Sequence, residues 1–280
     1  MSDLAWSTSF DRTFTTGEFV YTTFRYSRGK ITFEAQHFER LQSSVRMLWG
    51  EDALNPLRES WKSLQSQCRQ YLRLEEKGVK FLFKIQPLQH RNGGQNTQDF
   101  LPSIEVFDLG PWKGESYLEC FTVNDVNFRE SWRQTVKTMD LDRWLRWRSD
   151  HHYQNPSCLP QGVLWVEAEM QKVHEFMWGN LLAGTNEGWV SPPPSSFVFQ
   201  GIGVATWAAR CREQKEDLQR REIRLEELDT VKSLYMVNSV RGLVPVTKLN
   251  EKSYNHHQLD DNKKLNQEFW VRAYDEVSPV

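Results

Sequence analysis

The sequence predicts an α/β protein of two domains, a small N-terminal α/β domain and a larger, β-rich C-terminal α/β domain. Three observations predict it. The chain has 280 residues, 39% hydrophobic and 26% charged, which suits a globular protein long enough for more than one core. Its first hundred residues alternate aromatic and β-branched runs with amphipathic stretches. The pattern breaks at "DLGPWKGES" near Pro111, beyond which strand signals dominate. The predicted domains are therefore 1–111 and 112–280.

Taken in order, "EFVYTTFRY" (18–26) reads as a strand, "SRGK" as a turn and "ITFEA" as a returning strand, a hairpin. "AQHFERLQSSVRMLWG" sets Phe38, Leu41, Val45 and Leu48 on one helical face and stops at Gly50. A second helix follows, with Trp61, Leu64, Cys68 and Leu72 aligned and Gly78 ending it; "VKFLFKIQP" is the next strand. Residues 88–103, polar and Gly-containing, read as a loop. After Pro111, "LECFTVN" is a strand and "LDRWLRWRSDHHYQN" has helical spacing. "GVLWVEA", "VHEFMWGNLLAG" and "EGWVSPPP" read as strands, the last stopped by prolines. "QGIGVATWAARCREQ" turns at glycine into a helix whose Ile202, Ala205, Ala208 and Ala209 share a face. "RLEELDTVKSLYMVNSVRGLVPVTKL" ends as an apolar strand–turn–strand.

Composition excludes several classes. A formal net charge of −2 gives no case for nucleic-acid binding. Twelve Trp and sixteen Phe read as core and interface residues rather than a platform for bases. Cys68, Cys120, Cys158 and Cys211 lie far apart, which excludes a zinc ribbon and argues for reduced thiols. The N-terminal stretch lacks the apolar core of a signal peptide, and no run approaches the roughly 18 apolar residues of a membrane span. A cytoplasmic protein with no membrane partner and no metal is expected. Walker A, GxGxxG, HExxH and GxSxG patterns are missing. His151-His152 and His256-His257 read as solvated loop residues, and Glu226 and Glu227 as a solvated helix face.

Four stretches remain, and their order is informative: "DRTFTTGEFVYTTFRYSRGK", "HFERL", "VKT" with "VHEFMWGN", and "GIG" with "NSVRGLVPV". From about Asp11 to Val246 the chain resembles the fold-type IV pyridoxal-phosphate enzymes, the branched-chain and D-amino acid aminotransferases and the aminodeoxychorismate lyases. The resemblance implies roles. Asp11-Arg12 matches the family's opening strand, with Gly17-Glu18-Phe19 in place of its Gly-Asp-Gly turn, and Tyr21-Thr22-Thr23 follows. His37, Arg40 and Leu41 match a His-x-x-Arg-Leu helix whose arginine binds the cofactor phosphate, a task suited to a forked guanidinium. Lys137, followed by Thr138, matches the lysine that links the cofactor. Glu175 comes roughly forty residues later and Asn180 five beyond that; the Glu accepts the pyridine N–H, and Asn180 belongs to the same cofactor set. Gly201-Ile202-Gly203 matches a turn opening a helix, whose free N–H groups suit phosphate, and Ser239 with Val240 forms the second phosphate turn.

On the substrate side the resemblance is to the lyases. Transaminases of the family carry Glu in the opening strand, whereas here it reads Tyr21-Thr22-Thr23, and "NSVRGLVPV" is similar to the lyase turn rather than the transaminases' Gly-Thr-Ala turn. The resemblance thus implies pyridoxal 5'-phosphate as cofactor and 4-amino-4-deoxychorismate as the small-molecule substrate. Lys137 is the implied base, Thr22 or Thr23 assists, and Tyr21 and Arg91 are the substrate-binding candidates. Arg91 is what "HRNGG" keeps of the family's Arg-Gly loop, Asp140 stands where Asn is common, and Val204 where an Arg is common. A homodimer is implied as well. An aminotransferase on the same fold, or a non-catalytic relative, is the alternative.

Overall fold

The computed structural model describes residues 20–69, 79–87, 100–108, 118–124, 162–195, 197–254 and 259–274. Lys137, Arg91, the stretch 11–19, the expected helix at 141–155 and both His doublets lie outside them. So does the expected domain boundary, within 109–117.

The N-terminal part is a four-stranded antiparallel sheet with two helices on one face. Strands β1 (Val20–Ser27), β2 (Lys30–Ile31), β3 (Val79–Pro87) and β4 (Phe100–Asp108) lie in the order β2-β1-β3-β4. The helices are α1 (Glu34–Trp49) and α2 (Leu54–Cys68). Period-two alternation sends Val20, Phe24 and Tyr26 to one face of β1, where they pack with Leu41 and Val45 of α1 and Leu57, Trp61 and Leu64 of α2. Each fully buried Leu there contributes about 1.5–3 kcal/mol. Thr22 lies on that same face, the only polar residue in the alternating set.

Two differences from the sequence reading have local causes. The return strand "ITFEA" is only two residues long, because Phe33 adopts φ 55° and α1 begins at Glu34. Residues 100–103, expected as loop, begin β4, with Pro102 opposite Ile85. β4 is an edge strand, where a proline's missing N–H breaks no ladder.

The C-terminal part is a larger mixed sheet. Its strands are β5 (Leu118–Asn124), β6 (Gly162–Glu167), β7 (Lys172–Phe176), β8 (Asn180–Gly184), β9 (Trp189–Ser191), β10 (Leu218–Arg220), β11 (Ser233–Asn238), β12 (Gly242–Leu249) and β13 (Lys252–Ser253). The spatial order is β10-β9-β8-β11-β12-β5-β6-β7, with β13 on β12. One face, with Leu181, Leu234, Met236, Val244 and Val246, closes over Leu164 and Phe176. The other, with Leu182, Tyr235, Val237 and Leu243, receives α3 (Ile202–Gln214) and α4 (Leu259–Tyr274).

The buried face of α3 is Val204, Trp207 and Cys211 rather than the expected Ala205, Ala208 and Ala209, of which Ala205 is exposed. The sequence reading proposes no helix at 259–274. There α4 buries Phe269 and Ala273 and latches β12 through Asn266, whose side chain accepts the Leu243 N–H at 2.9 Å and donates to the Leu243 carbonyl at 2.6 Å. It also reaches the first sheet: Phe33 meets Phe269 edge-on at 5.6 Å, and Arg25 stands 5.2 Å over Trp270. Arg210 of α3 binds Glu268 at 2.9 Å and also pairs with Glu216, so two carboxylates hold this buried guanidinium and raise its pKa.

Candidate active site

The site is assembled from both sheets. From the second, Glu175 on β7 and Asn180 at the start of β8 are both buried. Glu175 Oε2 accepts the Phe199 N–H at 3.0 Å and the Asn180 Nδ2–H at 3.3 Å. Asn180 Nδ2 also donates to the Phe199 carbonyl at 2.8 Å. Phe199 is brought there by a turn after the proline run, in which Ser195 Oγ accepts the N–H groups of Phe197 and Val198, both at 3.2 Å, while Phe197 stacks on His174 at 4.5 Å.

The chain then enters α3 at Gly201, whose backbone is extended and which carries no side-chain cap. The first N–H groups of α3, those of Ile202 and Gly203, have no intrahelical acceptor and carry the positive end of the helix dipole. A Cβ on Gly203 would lie 3.0 Å from Val237 and 3.1 Å from Asn238, so α3 lies close on the end of β11.

The β11–β12 register pairs Asn238 with Gly242, leaving Ser239, Val240 and Arg241 as the turn. Asn238 holds it: its Oδ1 accepts the N–H of Val240 at 3.0 Å and of Arg241 at 2.8 Å, and its Nδ2 donates to the Trp178 carbonyl at 3.0 Å. The Val240 amide is therefore engaged within the turn. Ser239 Oγ donates across to the Thr23 carbonyl of β1 at 3.4 Å.

From the first sheet comes Arg40 of α1. Its Nη2 donates to Thr22 Oγ1 at 2.6 Å and lies 3.2 Å from His37 Nδ1; its guanidinium stands 5.4 Å over the Phe199 ring. Its Nε is buried with no hydrogen-bond acceptor. Burial lowers its pKa to about 10, with the nearby Tyr21 acting in the opposite direction, so the group stays cationic at neutral pH. The contacts close a ring: Arg40 to Phe199, Glu175, Asn180, Gly201, α3, Asn238, Ser239, Thr23 and, next in β1, Thr22, which returns to Arg40.

The structure thus brings Thr22, Thr23, Arg40, Glu175, Asn180, Ile202, Gly203, Ser239 and Val240 into one connected set, with Tyr21 beside it on β1. The sequence reading omits Phe199, which no periodicity marks, and the part played by Asn238, legible as an Asn at the head of a turn. Among the described residues no group of His, Cys, Asp and Glu could hold a metal ion, and no helix is long and apolar enough to cross a membrane.

A buried acid held by amides on one side, and an uncapped helix end with an arginine whose Nε lacks an acceptor on the other, form a candidate site for an anionic, phosphate-bearing ligand. The chain belongs to the class IV aminotransferase family, whose profile matches residues 19–249. Solved structures share the fold. A Mycobacterium tuberculosis hypothetical aminotransferase in its PLP-bound form is 14% identical, covers 92% of this chain and 89% of its own, and gives a TM-score of 0.74. The Escherichia coli branched-chain amino acid aminotransferase is 14% identical over 94% and 88%, TM-score 0.68. A Legionella pneumophila protein with the provisional name 4-amino-4-deoxychorismate lyase is 19% identical over 90% and 91%, TM-score 0.66. No curated protein matches the sequence.

The family's fold works with pyridoxal 5'-phosphate. The residues present fit that group: the Arg40 Nε lacks an acceptor, and the α3 N-terminus, entered at Gly201 without a side-chain cap, offers backbone N–H groups to an anion.

Proposed function

We propose that the chain is a pyridoxal-phosphate-dependent 4-amino-4-deoxychorismate lyase that releases pyruvate and forms 4-aminobenzoate for folate synthesis. One observation carries the choice of reaction. The two stretches that set lyases apart from transaminases in sequence, Tyr21-Thr22-Thr23 and "NSVRGLVPV", meet directly at the Ser239–Thr23 hydrogen bond. A relative of the same fold bears the lyase name, which agrees with this reading.

When bound, the cofactor supplies an electron sink for bond cleavage next to the substrate's amine-bearing carbon. Glu175, its Oε2 already oriented by Phe199 and Asn180, would accept a hydrogen bond from the protonated ring nitrogen and so keep the heterocycle cationic. Arg40 and the α3 N-terminus would hold the phosphate oxygens, and the Ser239 hydroxyl would join them by turning from the Thr23 carbonyl. Lys137 links the cofactor and, as a free amine, removes the proton from the amine-bearing ring carbon of the substrate. Thr23 lines the substrate side with Tyr21, and Arg91 contributes to carboxylate recognition. Each sheet organises one domain, 1–111 and 112–280, and the enzyme works as a cytoplasmic homodimer.

Two assays test the proposal. Synthetic aminodeoxychorismate should yield pyruvate and 4-aminobenzoate without any 2-oxoacid; glutamate formation from 2-oxoglutarate and an amino donor, with no pyruvate release, would instead make the chain an aminotransferase. Lys137→Ala should abolish the visible absorbance of the loaded protein and borohydride fixation of the cofactor. A variant that keeps both removes Lys137 from its role.

A further inference from the structure

Building on the assignment of Arg40 to the phosphate, we infer that Thr22 and His37 are positioning residues that fix the Arg40 guanidinium for its ligand. Three polar groups from two elements converge here: Arg40 Nη2 is 2.6 Å from Thr22 Oγ1, Thr22 Oγ1 is 2.6 Å from His37 Nδ1, and Arg40 Nη2 is 3.2 Å from the same Nδ1.

The directions follow from the inventory of donors. A guanidinium only donates, so the Thr22 oxygen accepts from Arg40. The Thr22 hydroxyl hydrogen is then directed to the one acceptor beside it, His37 Nδ1. This makes Nδ1 the lone-pair nitrogen and places the ring proton of a neutral His37 on Nε2. Thr22 and His37 are both 0% exposed, so water does not compete for these bonds. The His37 ring is itself backed by Phe24 at 5.9 Å.

One nitrogen of the Arg40 fork is thus committed to the brace, while its Nε remains buried without an acceptor. The Phe199 ring bounds the guanidinium on one face. An arginine side chain has many rotamers, and ordering it at the moment of binding weakens the complex; holding it beforehand removes that cost. The inference also separates the two threonines of β1. Strand alternation turns Thr22 toward α1 and the first core, and its hydroxyl is occupied there, whereas Thr23 and Tyr21 project from the opposite face.

The test compares two probes on the apoenzyme, pyridoxal 5'-phosphate and pyridoxal, titrated by absorbance. They share the ring and aldehyde and differ in the phosphate. Thr22→Val keeps the volume and removes the hydroxyl; it should raise the Kd for the phosphate ester about tenfold and leave that for pyridoxal unchanged. Thr22→Ser should restore it. In the loaded Thr22→Val protein the 31P resonance should broaden or shift, which a purely structural role of Thr22 would not produce. An unchanged Kd for the ester in Thr22→Val, with Arg40→Ala weakened, overturns the brace and leaves the phosphate role of Arg40 intact. An Arg40→Ala variant with wild-type affinity for the ester overturns both. If Thr22→Val fails to fold, His37→Asn carries the same comparison, with the same two outcomes.

Discussion

The Asn180 carboxamide occupies the space that any side chain on residue 201 would need: a Cβ built on Gly201 lies 1.8 Å from Asn180 Oδ1. The glycine is required by crowding, since its own backbone is in the ordinary extended region. Gly201→Ala must push Asn180 aside, and Asn180 also orients Glu175 and the Phe199 carbonyl. The variant is expected to lose about 1–3 kcal/mol of stability. It should also bind pyridoxal phosphate at least about tenfold more weakly. Thermal melts and equilibrium dialysis would measure the two effects; a variant with wild-type retention of cofactor would show that Asn180 can move without consequence.

Arg241 offers a trade between stability and binding. It is partly buried in the turn with Ser239, burial lowers its pKa, and its side chain forms no hydrogen bond or ion pair among the described residues. A cation in such a place, with no partner among the described residues, destabilises the protein unless an anion meets it. Arg241→Met is therefore expected to stabilise the apoenzyme by about 1 kcal/mol. The KM for a dicarboxylate substrate should rise at the same time. A lower melting temperature with an unchanged KM would mean that Arg241 serves packing alone.

Asn266 satisfies both backbone groups of Leu243 from the side of α4. These groups are buried, so Asn266→Ala leaves a donor and an acceptor without partners. A loss of about 2–4 kcal/mol is expected, on the order of 1–3 kcal/mol for each orphaned group. Chemical denaturation measures it. Asn266→Asp should recover the N–H bond but not the carbonyl bond, and so lie between the two.

The parts of the site legible in the sequence are those where chemistry fixes residue type and spacing together. Glu175 and Asn180 flank one tight β-turn, and the Gly201–Gly203 stretch must both turn and open a helix, so their pattern survives in the letters. Phe199 was illegible because it contributes a backbone N–H, which any residue could supply, and a ring whose partner lies 159 positions away in Arg40.

The fold shows the same division. Strands with a buried face on each side, such as "NLLAG" and "SLYMVN", announce themselves by continuous apolar runs. The sequence places helix α3 but not its rotation, because alanines read as apolar while Trp207 and Cys211 fill the actual space against the sheet. Helix α4 is hard to read from the sequence because its apolar positions are few and its main anchor is polar, the Asn266 carboxamide bonded to backbone. Pro102 hides the start of the edge strand β4, because the penalty of a proline disappears at an edge.

The docking of α4 sets the order in which this chain can mature. Phe33, near the beginning, rests on Phe269 and donates its backbone N–H to the Ala273 carbonyl at 3.3 Å. Closing so long a span is entropically slow compared with forming the local hairpins and helix pairs. During synthesis on the ribosome, the N-terminal sheet and its two helices can fold early, but the surface holding Phe33 and the Gly242 turn stays uncovered until α4 emerges. A nascent chain halted before residue 259 would expose that apolar face and invite chaperone capture, and a full-length chain would not.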